Sequence, residues 1–206
     1  MERKYKLTDD CMQYEGHKLY RIQSLRSFSN VKEGELGGYI ESEDNLSHDG
    51  MCWVYEEAKV FGNAKVYHNA CVYFYAEVFG NAEVSGDAKV FDHAYVLGNA
   101  EVRGEAKVYG DAKVCGYANV YGKAEVSGDA KVYKNGDYIV FKNWWSSGRY
   151  FTWTRSNNKW KVGCFLGTGA ELINKAYKDS ELSGREYERV VKYVESILAD
   201  ENAQKK

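Results

Sequence analysis

The sequence predicts a mainly β protein: a parallel β-helix of triangular cross-section between an N-terminal β cap and a small C-terminal α+β domain. The first observation is a run of thirteen hexads from Ala58 to Asn135 with Ala at position one and Val at position three. The second is Gly at position five in nine of the thirteen hexads. The third is the loss of the period after Asn135, which marks where the β-helix ends.

Each hexad reads as a short strand followed by a corner. Side chains alternate between faces in an extended chain, so the Ala and Val side chains point to one face and positions two and four to the other. Gly adopts positive φ without a steric cost, and the Asn or Asp that often follows favours a turn. Three such sides close a coil of eighteen residues with Val filling its interior. A degenerate hexad, CWVYEE from Cys52, precedes the regular ones.

Both ends of a parallel β-helix need caps, because open strand edges pair with other chains. Residues 1–45 fit one cap, with two strands around the turn YEGHK and then Gly37 and Gly38. Residues 46–135 are the β-helix. Residues 136–206 predict three strands separated by SSG and SNN, followed by two helices that form a βββαα domain. Capping boxes predict helix starts at Thr168 with Glu171 and at Ser183 with Glu186.

The hexads resemble the hexapeptide-repeat family of left-handed parallel β-helices. In that family an aliphatic residue is followed four positions later by a small one, as Val60 is by Ala64. The resemblance implies a left-handed coil and, because such proteins commonly trimerise through their faces, a homo-oligomer. The segments 36–64 and 151–177 look like parts of uncharacterised proteins of bacteriophages and prophages, which implies a phage origin.

Composition narrows the setting of the protein. The net charge of −2 favours neither nucleic acid nor membrane surfaces as general partners. Apolar runs long enough to span a membrane are lacking, and the start MERKYKLTDD lacks the apolar core of a signal peptide. We therefore expect a cytoplasmic protein, in the cytosol of a bacterial host. Five scattered cysteines predict reduced thiols, with neither a metal site nor a bound cofactor.

Side chains eighteen residues apart should stack on one face of the β-helix. One face then carries an almost wholly apolar ladder, and a second carries a mostly aromatic ladder. The apolar ladder is Phe61, Phe79, Leu97, Cys115 and Tyr133, and the aromatic ladder is Tyr55, Tyr73, Phe91 and Tyr109. Monomers seldom expose large apolar patches, so we expect these ladders to form the interface of a trimer or dimer. The alternative is that the stacked rings only stabilise adjacent strands.

One corner of the β-helix is a candidate site for a ligand or partner. Glu57, Tyr75, His93 and Asp111 are spaced eighteen residues apart there, and Phe74 and Asp92 replace corner glycines beside them. A polar column with aromatic neighbours can bind a small molecule or a protein. The alternative is a solvated corner whose irregularities are neutral.

Whether the protein is an enzyme of this family depends on whether one of its histidines can act as a general base. Hexapeptide-repeat acyltransferases use a histidine near a subunit interface as general base, so the resemblance makes His68 and His93 candidates for that role. Both occupy turn positions, where we favour a purely conformational role. Known phosphate-binding, nucleophile-elbow and metal motifs are absent from the sequence.

The C-terminal sheet offers another reading, the binding of single-stranded nucleic acid. Aromatic rings beside cations can stack on bases and neutralise phosphates. The candidates are Trp144, Trp145, Arg149, Tyr150, Arg155 and Lys159. The alternative, an ordinary core with solvated charges, is the expected one.

The leading hypothesis from the sequence is a non-enzymatic, oligomeric binding or scaffold protein of phage origin that engages a host protein or a nucleotide signal. The first alternative is a CoA-dependent acyltransferase of the hexapeptide-repeat type. The second alternative is nucleic-acid binding through the C-terminal sheet.

Overall fold

A computed structural model describes residues 3–204 and divides the chain into two compact units. The first unit extends to Ile139 and also includes Thr154–Asn157. The second unit comprises Val140–Trp153 and the chain from Asn158 onward.

The first unit begins with three strands that extend one sheet of the β-helix. The strand β1 (Tyr5–Tyr14) pairs antiparallel with β2 (His17–Ser24) across a turn at Glu15 and Gly16, which both have positive φ. The strand β3 (Leu36–Ile40) pairs antiparallel with β2 and parallel with the strand at Lys59–Val60 in the first regular hexad. The predicted N-terminal strands and their turn are confirmed.

The repeat folds into a parallel β-solenoid of about five coils. Its fourteen two-residue strands are β4 (Trp53–Val54), β5 (Lys59–Val60), β6 (Lys65–Val66), β7 (Cys71–Val72), β8 (Glu77–Val78), β9 (Glu83–Val84), β10 (Lys89–Val90), β11 (Tyr95–Val96), β12 (Glu101–Val102), β13 (Lys107–Val108), β14 (Lys113–Val114), β15 (Asn119–Val120), β16 (Glu125–Val126) and β17 (Lys131–Val132).

Three sheets form the sides of the solenoid; all pairs between repeat strands are parallel, and the antiparallel strands β1 and β2 extend the first sheet. Their strand orders are β1-β2-β3-β5-β8-β11-β14-β17, β4-β7-β10-β13-β16 and β6-β9-β12-β15. Every repeat pair joins residues eighteen apart, as Val78 joins Val96. The predicted eighteen-residue coil is therefore confirmed, and it begins with the degenerate hexad at Cys52.

The solenoid interior is made of the repeated Ala and Val side chains, all of which are at most 1% exposed. Burial of a valine side chain contributes roughly 1.5–3 kcal/mol, so the stack of valines is the main source of stability. The corners turn with positive φ even where glycine is replaced, at His68, Phe74 and Asp92. Lys134, the last residue in that position, is instead extended with φ −151°, and the solenoid ends there.

The start of the solenoid is fixed by the close approach of β3 to the first coil and by the buried side-chain amide of Asn45. A Cβ atom on Gly38 would lie 2.5 Å from the carbonyl oxygen of Ala58, so only glycine lets β3 lie this close to the first coil. Asn45, in a short 3-10 helix (Glu43–Asn45), accepts from the N–H groups of Glu41 and Ser42. Its amide also donates to the carbonyls of Gly62 and Ala64 at 2.9 Å, which uses its full hydrogen-bonding capacity.

Side chains cover the other end of the solenoid where no further coil follows. A second 3-10 helix (Asn135–Asp137) places the Asp137 carboxylate to accept from the N–H groups of Tyr133 and Lys134. The N–H of Lys131 donates to Ser156 Oγ at 2.6 Å, and Ser156 belongs to the first unit. These contacts satisfy edge groups that would otherwise recruit another strand.

The C-terminal region contains a four-stranded sheet and two helices. The elements are β18 (Tyr138–Lys142), β19 (Tyr150–Thr154), β20 (Lys159–Val162), β21 (Phe165–Gly167), α1 (Gly169–Asp179) and α2 (Glu181–Gln204). The strands follow the order β18-β19-β20-β21, and β20 pairs antiparallel with β21. The short fourth strand is missing from the βββαα prediction, because FLG is too short to show a period.

The two predicted helix starts have different outcomes. Thr168 caps α1 and forms the predicted capping box with Glu171. The box at Ser183 is wrong, because α2 already begins at Glu181. The N–H of Ser183 donates to Ser180 Oγ at 3.1 Å, so Ser180 takes the capping position. Buried rings of Phe151, Trp160 and Tyr187 form the core of the second unit.

The stacked corners yield a testable prediction on stability. Gly86 and Gly122 have similar φ angles of 70° and 67°. A Cβ atom added to Gly86 would lie 2.9 Å from Gly104 N, whereas one added to Gly122 would have no neighbour within 4 Å. Gly122→Ala should lower the unfolding free energy by roughly 1–2 kcal/mol, the cost of left-handed backbone alone. Gly86→Ala should cost about 1–3 kcal/mol more because it also overpacks the stack. Equal losses in urea titrations of the two variants would show that corner stacking adds nothing.

Candidate functional site

The predicted corner column is partly assembled in the structure. The rings of Tyr75 and His93 stack with centroids 5.2 Å apart and an interplanar angle of 5°. Glu57 turns to Arg21 instead, with Oε1 3.3 Å from Nη1. Asp111 is exposed at the end of the column. The column therefore contains one aromatic pair and two separate carboxylates.

The flanking residues of the column serve the corners themselves. Asp92 Oδ2 accepts the N–H of Gly110 at 3.1 Å, one coil further along. The N–H of Phe74 donates to Glu56 Oε2 at 2.7 Å, and the Phe74 ring is 47% exposed. Asp92 thus has a structural role in the corner, whereas the Phe74 ring stays free to contact a partner. The column as a binding site stays a prediction.

The histidines of the repeat are poorly placed for proton transfer. His68 has φ 58°, its side chain is exposed, and its carbonyl accepts the N–H groups of Met51 and Cys52. His93 is exposed and contacts Tyr75. Within residues 3–204, neither imidazole has a carboxylate within 4.0 Å to orient it.

The protein's own N-terminal hairpin covers the start of the apolar ladder. Phe61 is 3% exposed and packs beneath Met12 and Tyr14 of β1. It also stacks on Phe79 with centroids 4.9 Å apart. The Tyr14 hydroxyl donates to the buried Glu77 at 2.5 Å, which fixes the hairpin over the ladder.

Beyond the hairpin the apolar ladder opens to solvent. Leu97 and Cys115 are half-buried, and Tyr133 is 56% exposed. The aromatic ladder is half-buried throughout and is held by two stacked pairs. The pairs are Tyr55 with Tyr73 at 4.5 Å and Phe91 with Tyr109 at 4.6 Å between centroids. Use of either ladder as a subunit interface stays a prediction.

The six nucleic-acid candidates have different environments. Trp145 packs edge-on against Tyr187 with centroids 4.9 Å apart, so it belongs to the core. Trp144 is 73% exposed, while Arg149 and Tyr150 are also exposed. Lys159 is half-buried in β20. Arg155 belongs to the first unit, where its Nε donates to the carbonyl of Gly136 at 3.2 Å.

A histidine–glutamate pair lies where the hairpin meets the first coil. His17 opens β2, and its Nδ1 is 2.9 Å from Glu41 Oε1 just after β3. The second oxygen of Glu41 accepts the N–H of Gly62 at 2.7 Å. The His17 ring also packs against Phe61 with centroids 5.1 Å apart. The carboxylate and the apolar ring therefore fix the imidazole from two sides.

This contact determines the protonation pattern of the imidazole. A carboxylate only accepts, so Nδ1–H of His17 donates and Nε2 is the free acceptor of the neutral ring. The hydrogen bond from His17 lowers the pKa of the Glu41 carboxyl, and the Gly62 N–H lowers it further against the opposing effect of burial. The His17 and Glu41 side chains are 37% and 33% exposed, so solvent reaches the pair.

A cleft begins at the residue after Glu41, and its lining contains neither His17 nor Glu41 itself. It has a volume of about 720 Å³, within the range of small-molecule sites. Its walls are almost wholly polar: Ser42, Glu43, Asp44, Asn45, Gly62, Asn63 and Lys65. Gly62 is shared with the histidine–glutamate pair, since its N–H holds Glu41.

Sequence reasoning missed this site because its parts are distant in the chain. His17 and Glu41 are 24 residues apart and meet only through the β2–β3 pairing. The YEGHK turn predicts a hairpin, and nothing in it indicates that its histidine meets a carboxylate. In the described residues 3–204, no cluster of three or more metal-binding side chains occurs, and no helix is long and apolar enough to span a bilayer.

Parallel coils of Ala-x-Val hexads at an eighteen-residue period fit the hexapeptide-repeat left-handed β-helix. No family profile matches the chain. A 76-residue stretch is 34% identical to the uncharacterized acetyltransferase YdcK of Escherichia coli K12. That match covers 32% of this chain and only 23% of the relative's length. That relative is named as an acetyltransferase, which is an acyltransferase in class.

The lowered pKa of Glu41 predicts a pH-dependent contribution to stability. A carboxylate with a depressed folded pKa stabilises the fold above its ordinary pKa and stops doing so as pH falls through the folded value. Glu41→Gln should therefore lower the unfolding free energy clearly at neutral pH and much less below about pH 4. Urea titrations across pH measure this difference. Glu33→Gln, which removes an exposed carboxylate, is the control and should cost little at any pH.

Proposed function

We propose that the protein is an acyltransferase that moves an acyl group from a thioester such as acetyl-CoA to a polar acceptor. His17 is the general base and Glu41 positions it. The observation that carries the proposal is the 2.9 Å contact between His17 Nδ1 and Glu41 Oε1, which leaves Nε2 of the neutral ring to accept a proton. Gly62, whose N–H donates to Glu41, also lines a nearby cleft.

The chemistry follows from the tautomer. Nε2 of His17 takes a proton from a hydroxyl or amino group of the acceptor as that group attacks the thioester carbonyl. The carbon–sulfur bond of the tetrahedral intermediate then breaks, and the protonated imidazole returns the proton to the leaving thiolate. The Glu41 carboxylate stabilises the imidazolium that exists between these two transfers, as paired carboxylates do in other acyl-transfer sites.

The cleft suggests the class of acceptor. The carboxylate of Asp44 attracts an amine, whereas Glu43 is already within 3.4 Å of Arg3 Nη1. The amide of Asn63, the hydroxyl of Ser42 and the ammonium of Lys65 suit hydroxyl groups. A small polyhydroxy compound or an amino compound fits this lining better than an apolar one. The partial similarity to an acetyltransferase supports the donor class, and the rest of that relative lies outside the matched stretch.

The test is acyl transfer by the purified full chain. Acetyl-CoA is supplied with a panel of amino sugars, polyols and polyamines, and products are detected by mass spectrometry and by thiol release. His17→Ala should lower kcat/KM by about 10²–10⁴, the usual contribution of a general base. Glu41→Gln should give a smaller loss, in kcat rather than in KM, because the base remains but is no longer oriented.

His93→Ala is the matched control, since it removes an exposed imidazole of the same solenoid that has no carboxylate partner. It should retain full activity. Two results would overturn the proposal: thiol release that His93→Ala abolishes while His17→Ala leaves it intact, or no acyl transfer from any thioester to any acceptor of the panel.

A further inference from the structure

A lysine lies fully buried at the start of the first unit. Lys4 is 0% exposed, and its Nζ donates to the carbonyl of Cys52 at 2.9 Å and to that of Asp49 at 3.5 Å. The ammonium also lies 5.3 Å from the ring centroid of Phe28. Burial of a charge is costly unless an opposite charge is paired with it, so the neighbours of Nζ determine what this lysine is for.

The neighbour of Lys4 that could carry the opposite charge is the thiol of Cys52. Nζ of Lys4 is 3.2 Å from Sγ, and Cys52 is also 0% exposed. Within residues 3–204, Lys4 has no carboxylate within 4.0 Å. Sγ further contacts the carbonyls of Ser47 and Asp49 at 3.4 and 3.6 Å, which hold it in place beside the amine.

Burial changes the proton equilibrium of this pair in a definite direction. It lowers the pKa of Lys4 and raises that of Cys52, because both charged forms lose their hydration. Both shifts act against the ammonium–thiolate form of the pair, and the two groups share one proton. A neutral amine is a nucleophile, and it can act as the base that converts the neighbouring thiol to a thiolate.

We propose that Lys4 and Cys52 form a covalent sulfur–nitrogen crosslink when the protein meets hydrogen peroxide. In the first step the Cys52 thiolate attacks one peroxide oxygen, the O–O bond breaks, and hydroxide leaves and becomes water. Sulfur is oxidised to a sulfenic acid and peroxide is reduced. In the second step Nζ of Lys4 attacks Sγ, the S–O bond breaks, and a second water leaves with one amine proton.

The second step has a chemical precedent in sulfenic acids that condense with a nearby nitrogen to a sulfenamide. Peroxide is small and uncharged, and local opening of the chain end admits it. Cys52 differs from the other four cysteines, none of which has a lysine amine within hydrogen-bonding distance in the described chain. The exposed Cys11 and Cys164 oxidise without an amine to capture the product.

The crosslink would tie the first strand to the first coil. The two residues are 48 apart in sequence, so the bond closes a long loop and restricts the unfolded chain. The loop contains the whole β1–β2 hairpin. We expect the thermal midpoint of the oxidised protein to rise on the order of 10 °C.

The experiment treats the full chain with hydrogen peroxide, digests it with trypsin and maps the peptides by mass spectrometry. The expected product joins the Lys4 peptide to the Cys52 peptide, weighs two hydrogen atoms less than their sum, resists cleavage after Lys4 and reverts with dithiothreitol. Lys4→Arg keeps the positive charge without the amine, and it should yield no crosslink and no rise in midpoint. Cys115→Ser, which removes a half-buried thiol without a lysine partner, should behave like the wild type.

Several outcomes would overturn the proposal. Lys4 that remains cleavable while Cys52 stays a thiol or becomes a sulfinic acid would exclude the crosslink. A crosslinked product that retains an oxygen atom would exclude the direct sulfur–nitrogen bond. The map of the wild-type protein decides these points by itself, even where a variant fails to fold.

Discussion

Parallel strand pairing in which each residue lies beside the one eighteen positions on is the constraint on which the rest of the first unit depends. Each side of a coil pairs through only two residues, as Lys89 and Val90 pair with Lys107 and Val108. Such short strands have little stability alone. The strands are stable in the solenoid because every coil repeats the same turn. Valines, corner glycines and outer side chains of successive coils therefore stack directly on one another.

The same register explains why the surface is organised in columns. Asn63, Asn81 and Asn99 follow one corner, and each amide donates to the next at 2.9 and 3.0 Å. Stacked rings follow the flat sides in the same way. A column of stacked side chains continues only as far as the repeat does. At the ends of the solenoid, side chains from non-repeating segments contact the coils instead. Both His17 with Glu41 and Lys4 with Cys52 lie at such an end, where the hairpin and β3 meet the first coil.

Most of the solenoid could be predicted from the sequence because its information is local and repeated. Ala-x-Val fixes the interior, and Gly with Asx fixes the corner, so the strand positions, the register and the stacking of Tyr55 on Tyr73 all follow. The first three C-terminal strands and the Thr168 cap follow from local signals too. The Ser183 start failed because Ser180, three residues earlier, offers an equally good cap and the sequence does not rank the two.

The candidate site could not be predicted, since it depends on contacts between segments without a shared period. Nothing local says that β2 returns to place His17 against Glu41, or that the residue before β1 enters the core beside Cys52. The repeat pattern singles out His68 and His93. His68 supplies the positive φ of its corner, whereas Asp92 does so at the corner of His93, and His93 stacks on Tyr75.

The eighteen-residue coil also sets how the chain can change length in evolution. A gain or loss of one whole coil returns each downstream residue to the same side, with its column neighbours intact. A gain of six residues preserves the strand and corner pattern but turns everything after it by one side of the triangle. The aromatic column would then be broken at the insertion, and the cap at Asp137 would meet the wrong sheet. Lineages of this protein should therefore differ in steps of three hexads, as tandem duplication of a coil-sized gene segment would leave them.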